Sequence, residues 1–484
     1  MNKLATILSI LTFSLISCNH HIEALPSDEI SIFSSSDMAL VKSYEWARKT
    51  ALGYTHDNSD PVGYWYEAAL PNREAFCMRD VAHQTIGAHI LGLQPHNKNM
   101  MMRFAENITE AKDWCSYWEI NRYNKPAPAD YENDSTFWYN LPANFDVTQA
   151  CLKLYEWTAD TDYIKSPTMQ NFYTKSLNEY VERWMLQPEN TFLRPRNMNM
   201  AQNFDINKSF HRCRGLASYA ENFPGITMSL DLLSSMYAAN KAYAQISEIN
   251  NYSDKATDYQ KRAEEYKQII EQKWWDSENS RYNTFWTVDK VFRRGEGVPF
   301  VLWFEVSNDI THRRAAINDI LSIGWNIENL SAFPALLYRN GYNEDAYKFA
   351  TELPQMNRSE YPEVSFGVVE GIISGAMGIY PKMSQKKIST CSHLPAESWA
   401  EVKNMPLADG YITLKHNNAS SSTITNNTSL KLTWEVGFIG DYATIEVDGK
   451  HYPTEKSQDT FGNTISSCKV SLKSGKTLSA NAKR

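Results

Sequence analysis

The chain contains 484 residues, of which 42% are hydrophobic and 21% are charged, a composition typical of folded proteins and not of disordered or collagen-like chains. Its 48 basic and 56 acidic residues give a formal net charge of -8, which excludes a general positive field for a nucleic-acid backbone. The 14 Trp, 27 Tyr and 20 Phe exceed what packing alone usually requires, so we expect part of this surplus to lie at a binding site.

The N-terminal segment has the pattern of a signal peptide. Lys3 precedes an apolar run that is too short to span a bilayer and ends in Leu15-Ile16-Ser17-Cys18. This resembles a bacterial lipoprotein signal, which implies removal of residues 1–17 and acylation of Cys18, with residues 18–36 as a tether. We therefore expect an outer-membrane lipoprotein that faces the periplasm or the cell surface. An ordinary secretory signal is the alternative.

Residues 37–383 have helical periodicity and divide into twelve segments. Segment seven has one polar face, whereas segment twelve is apolar and Gly-rich on almost all sides. This alternation of solvent-facing and interior helices predicts a mostly α fold, an (α/α)6 toroid in which six inner helices surround one pocket. An irregular α-solenoid is the alternative. The segments are 37–53, 76–93, 98–114, 143–160, 166–186, 226–247, 253–276, 299–306, 310–323, 329–341, 343–356 and 361–379.

Residues 384–484 form the second predicted domain. After a polar connector, four stretches that begin at Tyr411, Leu430, Ala443 and Ser467 alternate with a period of two, and turns rich in Asn, Asp, Ser and Gly separate them. This predicts a small antiparallel β-sandwich that supports the helical domain, with carbohydrate binding as the alternative role.

Six cysteines remain after Cys18. Cys391 and Cys468 lie at either end of the strand-like region, so we predict that they form a disulfide. The other four lie on or beside helical segments and are expected to be free, buried thiols. No metal or other cofactor is expected, because the cysteines have no CxxC spacing and His83 and His89 do not form an HExxH pattern.

Polar and aromatic residues concentrate before the even-numbered segments, and in a toroid these six stretches meet at one mouth. Stretches longer than roughly 12 to 15 residues without secondary structure are usually functional. Trp and Tyr rings can stack on sugars, and glycoside hydrolysis needs a protonated carboxylic acid facing a second carboxylate across the sugar. The expected substrate contacts are Trp65, Arg79, His83, Trp138, Arg212, Arg214, Trp325 and Tyr361.

Two motifs together with the twelve-helix plan and the trailing β-domain resemble the bacterial six-hairpin glycosidase superfamily. The motifs are Phe76-Cys-Met-Arg-Asp and Tyr361-Pro-Glu-Val-Ser-Phe-Gly, and the resemblance covers about residues 37–480. The Arg79-Asp80 step is similar to an Arg-Asp pair that contacts the terminal sugar in exo-acting mannosidases of glycoside hydrolase family 125. The acidic motif that marks rhamnosidases of family 78 is not found in the sequence.

The resemblance implies where the catalytic carboxylates lie. It implies a general acid before segment six, at Glu221, and a base before segment twelve, at Glu363, while Asp80 grips sugar hydroxyls. Asp134, Glu296 and Glu328 are further candidates. The predicted function is a glycoside hydrolase, exo-acting and inverting, on oligosaccharides from polysaccharide breakdown. We expect a monomer or weak dimer with an oligosaccharide substrate, a lipid anchor as its only membrane contact, and no nucleic-acid partner.

Two other functions fit the sequence. A polysaccharide lyase would use β-elimination on a uronate, with Tyr219 or His211 as base and Arg214 as the group that neutralises the carboxylate. A glycan-binding lipoprotein would need aromatic platforms but no opposed carboxylates.

The cationic residues before segment six predict an anionic substrate. Arg194, Arg196, His211, Arg212 and Arg214 form a basic group in an acidic protein, and arginine pairs well with carboxylate or sulfate. Structural ion pairs are the alternative explanation.

We therefore expect the Arg212→Ala variant to lose turnover of a uronate-containing or sulfated glycan while turnover of a neutral glycan changes little. Steady-state kinetics at two ionic strengths checks this. Unchanged kinetics on both glycan types would rule out the anionic substrate.

Overall fold

The computed structural model describes residues 25–68, 70–195, 214–218, 220, 223 and 225–483. Several sequence predictions lie outside the described residues, namely the signal and the lipidated Cys18, together with Arg196, His211, Arg212, Cys213, Tyr219 and Glu221. Arg214 is described by its backbone alone. Among the described helices, none combines the length and the apolar composition needed to cross a membrane.

Fourteen α-helices are found in the described part of the chain, and each of the twelve predicted segments overlaps at least one. The segment predicted over 166–186 is divided at Asn178, where the backbone leaves the helical conformation and the side-chain amide donates to the backbone oxygen of Thr174 at 2.8 Å. The helices are α1 Met38–Gly53, α2 Met78–Ile90, α3 Gln94–Glu106, α4 Ala143–Thr158, α5 Asp162–Lys165, α6 Pro167–Leu177, α7 Glu179–Arg183, α8 Leu230–Ile249, α9 Ser253–Ile269, α10 Pro299–Trp303, α11 Ile310–Ser322, α12 Ile327–Arg339, α13 Asn343–Glu352 and α14 Pro362–Glu370.

Six of the helices contact one another in a closed order. α2 packs against α4, α4 against α8, α8 against α10, α10 against α12, α12 against α14, and α14 returns to α2. Most of the remaining helices lie against this ring: α3 contacts α2, α9 contacts α8, and α13 contacts α12. α8 is buried along nearly its whole length, whereas α9 buries only Tyr259, Ala263 and Tyr266. The inner and outer helices therefore differ in polarity as the sequence predicted.

Close backbone contacts between the ring helices depend on glycine. A Cβ atom on Gly87 of α2 would lie 2.2 Å from the carbonyl oxygen of Phe366 in α14. A Cβ on Gly367 would lie 2.3 Å from the carbonyl oxygen of Ser331 in α12. Because both obstacles are backbone atoms, larger residues could be accommodated only by moving helices apart.

The strands form several small sheets beside the ring and two larger sheets in the C-terminal region. The small strands are β2 Thr55–His56, β3 Trp65–Tyr66, β4 Ala75–Cys77, β5 Glu119–Asn121, β6 Tyr131–Asn133, β7 Thr136–Phe137, β8 Tyr139–Asn140, β9 Arg214–Leu216, β10 Ile226–Ser229, β11 Trp275–Asp276, β12 Arg281–Tyr282, β13 Phe285–Thr287 and β14 Phe292–Arg293. The strands of the larger sheets are β1 Ile32–Ser35, β15 Ile379–Lys382, β16 Lys387–Cys391, β17 Ala400–Leu407, β18 Gly410–Asn418, β19 Ser421–Asn427, β20 Leu432–Ile439, β21 Thr444–Val447, β22 Lys450–Pro453, β23 Glu455–Gln458, β24 Thr464–Leu472 and β25 Lys476–Lys483.

The two larger sheets depart from the sequence prediction in two ways. They have the strand orders β1-β17-β18-β19-β25-β21-β22 and β15-β16-β20-β24-β23. β16 and β20 are parallel, so the region is not wholly antiparallel. β1, which lies in the segment predicted as a tether, pairs with β17 from Ile32 opposite Lys403 to Ser35 opposite Ala400. That segment therefore contributes an edge strand to a sheet formed from the other end of the described chain.

The predicted disulfide is wrong, because Cys391 and Cys468 are both free thiols. Cys391 pairs with Gly437 on one edge of β20, and Cys468 pairs with Val436 on the other edge. Two strand spacings, about 9.6 Å, separate them, and adjacent registers direct their side chains to opposite faces of the sheet. A disulfide needs Cα atoms within about 7 Å. Cys77, Cys115 and Cys151 are free and buried, as predicted.

We expect Gly87→Ala to reduce the free energy of unfolding by about 1–3 kcal/mol, because the added methyl group forces α2 away from α14. Urea denaturation measures the change. Gly53→Ala at the end of α1 is the matched control, since no atom outside its chain neighbours and its own helix backbone lies within 4 Å of its Cβ position. Equal stability of the two variants would contradict the close contact.

Candidate active site

Three cavities follow one another through the helical ring. A mouth cavity of ≈ 710 Å³ is bordered by the stretches that precede the ring helices. A central cavity of ≈ 40 Å³ lies inside the ring, and a far cavity of ≈ 580 Å³ lies beyond it. The mouth and central cavities share three lining residues, Asp80, Glu328 and Glu363. These three carboxylates therefore lie at the boundary between the wide mouth cavity and the small central cavity.

Each of the three carboxylates lies in the first turn of a different ring helix. Asp80 belongs to α2, Glu328 to α12 and Glu363 to α14. These first turns face the same cavity because the ring helices direct their N-terminal ends towards the mouth. The unpaired N–H groups at a helix start favour nearby negative charge, which partly offsets the cost of gathering three acids.

Burial and mutual repulsion favour the protonated forms of two of these acids. Burial raises the pKa of Asp80 to about 7, and the nearby charge of Glu328 adds to this effect. Burial also raises the pKa of Glu363 well above its usual range, with further contributions from Asp80 and Glu328. The Gln84 amide nitrogen lies 3.4 Å from Glu363 Oε2. Carboxylates with raised pKa values in a cavity are candidates for general acid chemistry.

Arg79 fixes the wall directly behind Asp80. Its Nε donates to Asp146 Oδ2 at 2.7 Å, and its Nη1 lies 3.5 Å from Asp231 Oδ2. His83 Nε2 lies 3.1 Å from the same Asp146 oxygen. Burial opposes ionisation of Asp146, but Arg79 and His83 outweigh it and lower its pKa. Because Arg79 is only 1% exposed and pairs with two buried acids, its geometry suits positioning rather than the predicted substrate contact.

One wall of the mouth comes from the β4–β5 pair, which the sequence reasoning missed. β4 leads directly into α2, and β5 places Glu119 opposite Cys77. Arg73 joins this wall through contacts of 2.9 Å to both Glu119 and Asp130. Burial raises the pKa of Glu119, and Asp130 adds to the shift. The sequence did contain a signal for this wall. The long stretch between the predicted segments 98–114 and 143–160 has no helical pattern, and stretches of this length are usually functional.

The opposite wall comes from the segments before α12 and α14. Arg358 lies 4.2 Å from the ring centre of Tyr361 and 3.5 Å from Glu328 Oε1. Glu296 accepts hydrogen bonds from Asn326 and Asn329, each at 3.2 Å. Tyr361 and Glu296 line the mouth, as the sequence suggested.

Three predicted aromatic contacts do not line the mouth or central cavity. Trp65 is fully buried, stacks on His56 and donates its indole N–H to Asp60 at 2.8 Å. Trp138 is 5% exposed and packs with Leu216 and Trp118. Trp325 donates to the backbone oxygen of Ile320 at 3.0 Å and packs edge-on against Phe333. For these positions, core packing was the correct explanation of the aromatic surplus.

Aromatic residues that were not predicted line the two cavities. Trp118 lines the mouth, while Phe300 and Trp303 line the central cavity beside His83. The reserve candidate Asp134 lies outside both cavities and accepts a hydrogen bond from Tyr131 at 2.7 Å.

The described part of the predicted basic group is structural. Arg194 is 5% exposed, donates to the backbone oxygen of Trp184 at 2.9 Å and also bonds the backbone oxygen of Thr227. Its contacts hold the start of the long segment against the core. The prediction of an anionic substrate therefore rests on members of the group whose side chains are not described.

Comparison with known proteins identifies the fold. The sequence matches no protein-family profile, and no curated protein is significantly similar to it. A solved alpha-L-rhamnosidase from Dictyoglumus thermophilum is 12% identical with a TM-score of 0.60, and the match covers 94% of this chain and 50% of that one. A GH78 family rhamnosidase from Bacillus sp. GL1 is also 12% identical with a TM-score of 0.55, covering 82% of this chain and 40% of that one.

A solved structure named as a sialidase is 14% identical with a TM-score of 0.51, covering 82% of this chain and 40% of that one. The chain thus spans half or less of the length of these three proteins. At such identities the similarity establishes the fold alone. The coarse prediction of a helical toroid with an additional sheet region is confirmed, and these known glycosidases have a similar fold.

The raised pKa of Asp80 makes a prediction about stability. The folded protein holds Asp80 at a pKa of about 7 instead of the ordinary 3.8, so ionising it costs stability as the pH rises between these values. We expect Asp80→Asn to become progressively more stable than the unchanged protein across this window, with the difference constant above it. Urea denaturation at several pH values measures it. Asp289→Asn, at an exposed loop position, is the control, and a pH-independent difference for Asp80→Asn would contradict the assignment.

Proposed function

We propose that the protein is a glycoside hydrolase whose reaction takes place at the junction of the mouth and central cavities. The observation that carries this proposal is the convergence of Asp80, Glu328 and Glu363 from three helix starts on one narrow cavity. Hydrolysis of a glycosidic bond needs a proton donor and a second carboxylate. In this cluster Glu363 is buried among acids, whereas Glu328 is partly exposed beside an arginine. The similarity of fold to known glycosidases supports the same reaction class.

Glu363 is the proposed proton donor. Its side chain is buried and repelled by two neighbouring acids, and both effects raise its pKa well above the usual range and favour its protonated form. A retained proton is what the leaving oxygen of the sugar requires. This role differs from the base assignment that the sequence resemblance implied.

Glu328 is the proposed base. Its side chain is 24% exposed and faces the Arg358 guanidinium at 3.5 Å, so it has both solvent and a positive partner. The central cavity of ≈ 40 Å³ that it borders exceeds the roughly 10–15 Å³ that one water molecule needs. Attack by a water molecule that Glu328 activates, from the face of the sugar opposite the proton donor, would invert the anomeric centre, and inversion is part of this proposal.

The cavity dimensions support exo action. The mouth volume of ≈ 710 Å³ lies within the roughly 300–1,000 Å³ of small-molecule pockets, whereas the central cavity behind it is too small for a sugar ring. Only the end of a glycan would therefore reach the carboxylates. Asp80, at the boundary, is placed to bind hydroxyl groups of that terminal sugar.

The substrate charge and the cellular location are further proposals. Arg73, Arg79, Arg294 and Arg358 line the mouth, and each has a carboxylate partner within 4.0 Å. Anionic substrate recognition would therefore fall to Arg212 and Arg214. The signal pattern ending at Cys18 supports a lipid-anchored outer-membrane protein.

We expect Glu363→Gln to lower kcat on a natural oligosaccharide by about 10²–10⁴-fold, with a smaller loss on an aryl glycoside whose leaving group needs no proton. Glu328→Gln should lose activity on both substrates and regain part of it with azide as an external nucleophile. Product chromatography and NMR of the first anomer formed measure turnover and inversion. Glu344→Gln, exposed on α13, is the matched control.

Each alternative has a distinct outcome in the same experiment. A product absorbing as an unsaturated uronate, with full activity in Glu363→Gln, would establish a lyase. Tight glycan binding without turnover on any substrate would establish a binding protein. Full activity in Glu328→Gln, with loss in Glu221→Gln, would move the second catalytic role to the residue implied by the resemblance.

A further inference from the structure

The far cavity lies between the helical ring and the sheet region, at the end opposite the carboxylate cluster. Later turns of the ring helices line it, and strand β15 closes one side through Tyr380, Pro381 and Lys382. Its volume of ≈ 580 Å³ is close to that of the mouth and is sufficient for a small ligand. Trp303 and Glu370 are the residues that it shares with the central cavity.

Lys153 of α4 provides a buried positive charge in this cavity. Its Nζ lies 4.6 Å from the ring centre of Trp303, and none of the described carboxylates lies within 4.0 Å of it. Its side chain is half-buried and lines the cavity. Burial and the charge of Arg339 together lower the pKa of Lys153 to about 8, although the charges of Glu370 and Glu305 oppose the shift. An anion in the cavity would relieve both effects.

Three other cationic side chains line the same space, Lys241 of α8, Arg339 of α12 and Lys382 of β15. Lys241 Nζ donates to the Tyr237 hydroxyl at 3.1 Å, a neutral partner. Lys153 and Lys241 belong to neighbouring ring helices, so their ammonium groups approach the cavity from adjacent walls.

The acidic side chains of the cavity do not balance these cations. Glu156 accepts from the Ser384 backbone N–H at 2.8 Å and from its hydroxyl at 2.6 Å. Glu305 lies 3.4 Å from Arg339 Nη1. Burial raises the pKa of Glu370 and favours its neutral form, although Lys153 and Arg339 oppose the shift. Lys153 and Lys241 are left without a carboxylate partner at ion-pair distance among the described residues.

A favourable interaction with the C-terminal end of a helix does not explain why these two lysines occupy the cavity wall. Cations are favoured near a helix C-terminus, but the effect is confined to the last turn. Lys241 lies eight residues before Ile249, where α8 ends, and Lys153 lies five residues before Thr158, where α4 ends. Both lie more than one turn before the last residue of their helix.

We propose that the far cavity is a second binding site, for a small molecule carrying a phosphate or carboxylate group held by Lys153 and Lys241. Trp157 and Tyr380 line the same cavity and provide apolar surface for a ring attached to that group. The site is separate from the glycosidic-bond site and does not depend on its chemistry.

Isothermal titration of the full chain with inorganic phosphate, D-glucuronate and D-glucose tests the site. We expect at least one of the two anions to bind and the neutral sugar not to bind, and the first two titrations distinguish phosphate from carboxylate. Affinity for that anion should fall about tenfold or more in Lys153→Met and in Lys241→Met, because each substitution removes one charged hydrogen bond to the anion. Lys153→Arg should keep most of the affinity because it keeps the charge.

Two controls locate the bound anion. Lys255→Met, exposed on α9, and Glu363→Gln, in the mouth, should both bind it with unchanged affinity. Failure of both anions to bind would overturn the proposal, and so would equal affinity in the unchanged protein, Lys153→Met and Lys241→Met. Loss of affinity in Glu363→Gln alone would assign the anion to the mouth and also overturn it.

Discussion

The buried ion pair between Arg79 and Asp146 is the interaction on which the arrangement of the mouth depends. It joins α2 to α4, and the approach of Arg79 to Asp231 extends the connection to α8. Removing one partner of a buried pair typically costs about 3–5 kcal/mol, because the other charge is left without compensation. Asp80 follows Arg79 in the chain, so the position of its carboxylate is tied to this contact.

Two carboxylates beside this arginine have pKa values that shift in opposite directions. Asp146 receives the guanidinium and the imidazole directly, and its pKa falls. Asp80 faces the cavity and the charge of Glu328, and its pKa rises. The direction of the shift therefore follows the direct contacts: Asp146 accepts from Arg79 at 2.7 Å, whereas Asp80 borders the cavity beside a second acid. One side of α2 thus stabilises the ring while the adjacent side supplies reactive acids.

The sequence predicted the helices better than the site. Each predicted helical segment overlaps a helix of the structure, because burial imposes a 3.6-residue pattern that is local in the chain. Trp65 and Trp325 were misassigned because an aromatic residue that packs in a core and one that lines a pocket have the same local pattern. The disulfide between Cys391 and Cys468 failed because β20 is inserted between their strands, and strand order is not a local property. Glu119 was missed because only the β4–β5 pairing brings it to the mouth.

The pairing of β1 with β17 links parts of the chain that are far apart in sequence. A fragment cut at the predicted boundary, comprising residues 384–484, would lack β1, and β17 would then present a row of unpaired backbone N–H and C=O groups. Such open edges recruit other strands and promote aggregation. During synthesis, the N-terminal strand must likewise wait for β17 before its hydrogen bonds can form, so completion of this sheet is a late event in the folding of the chain.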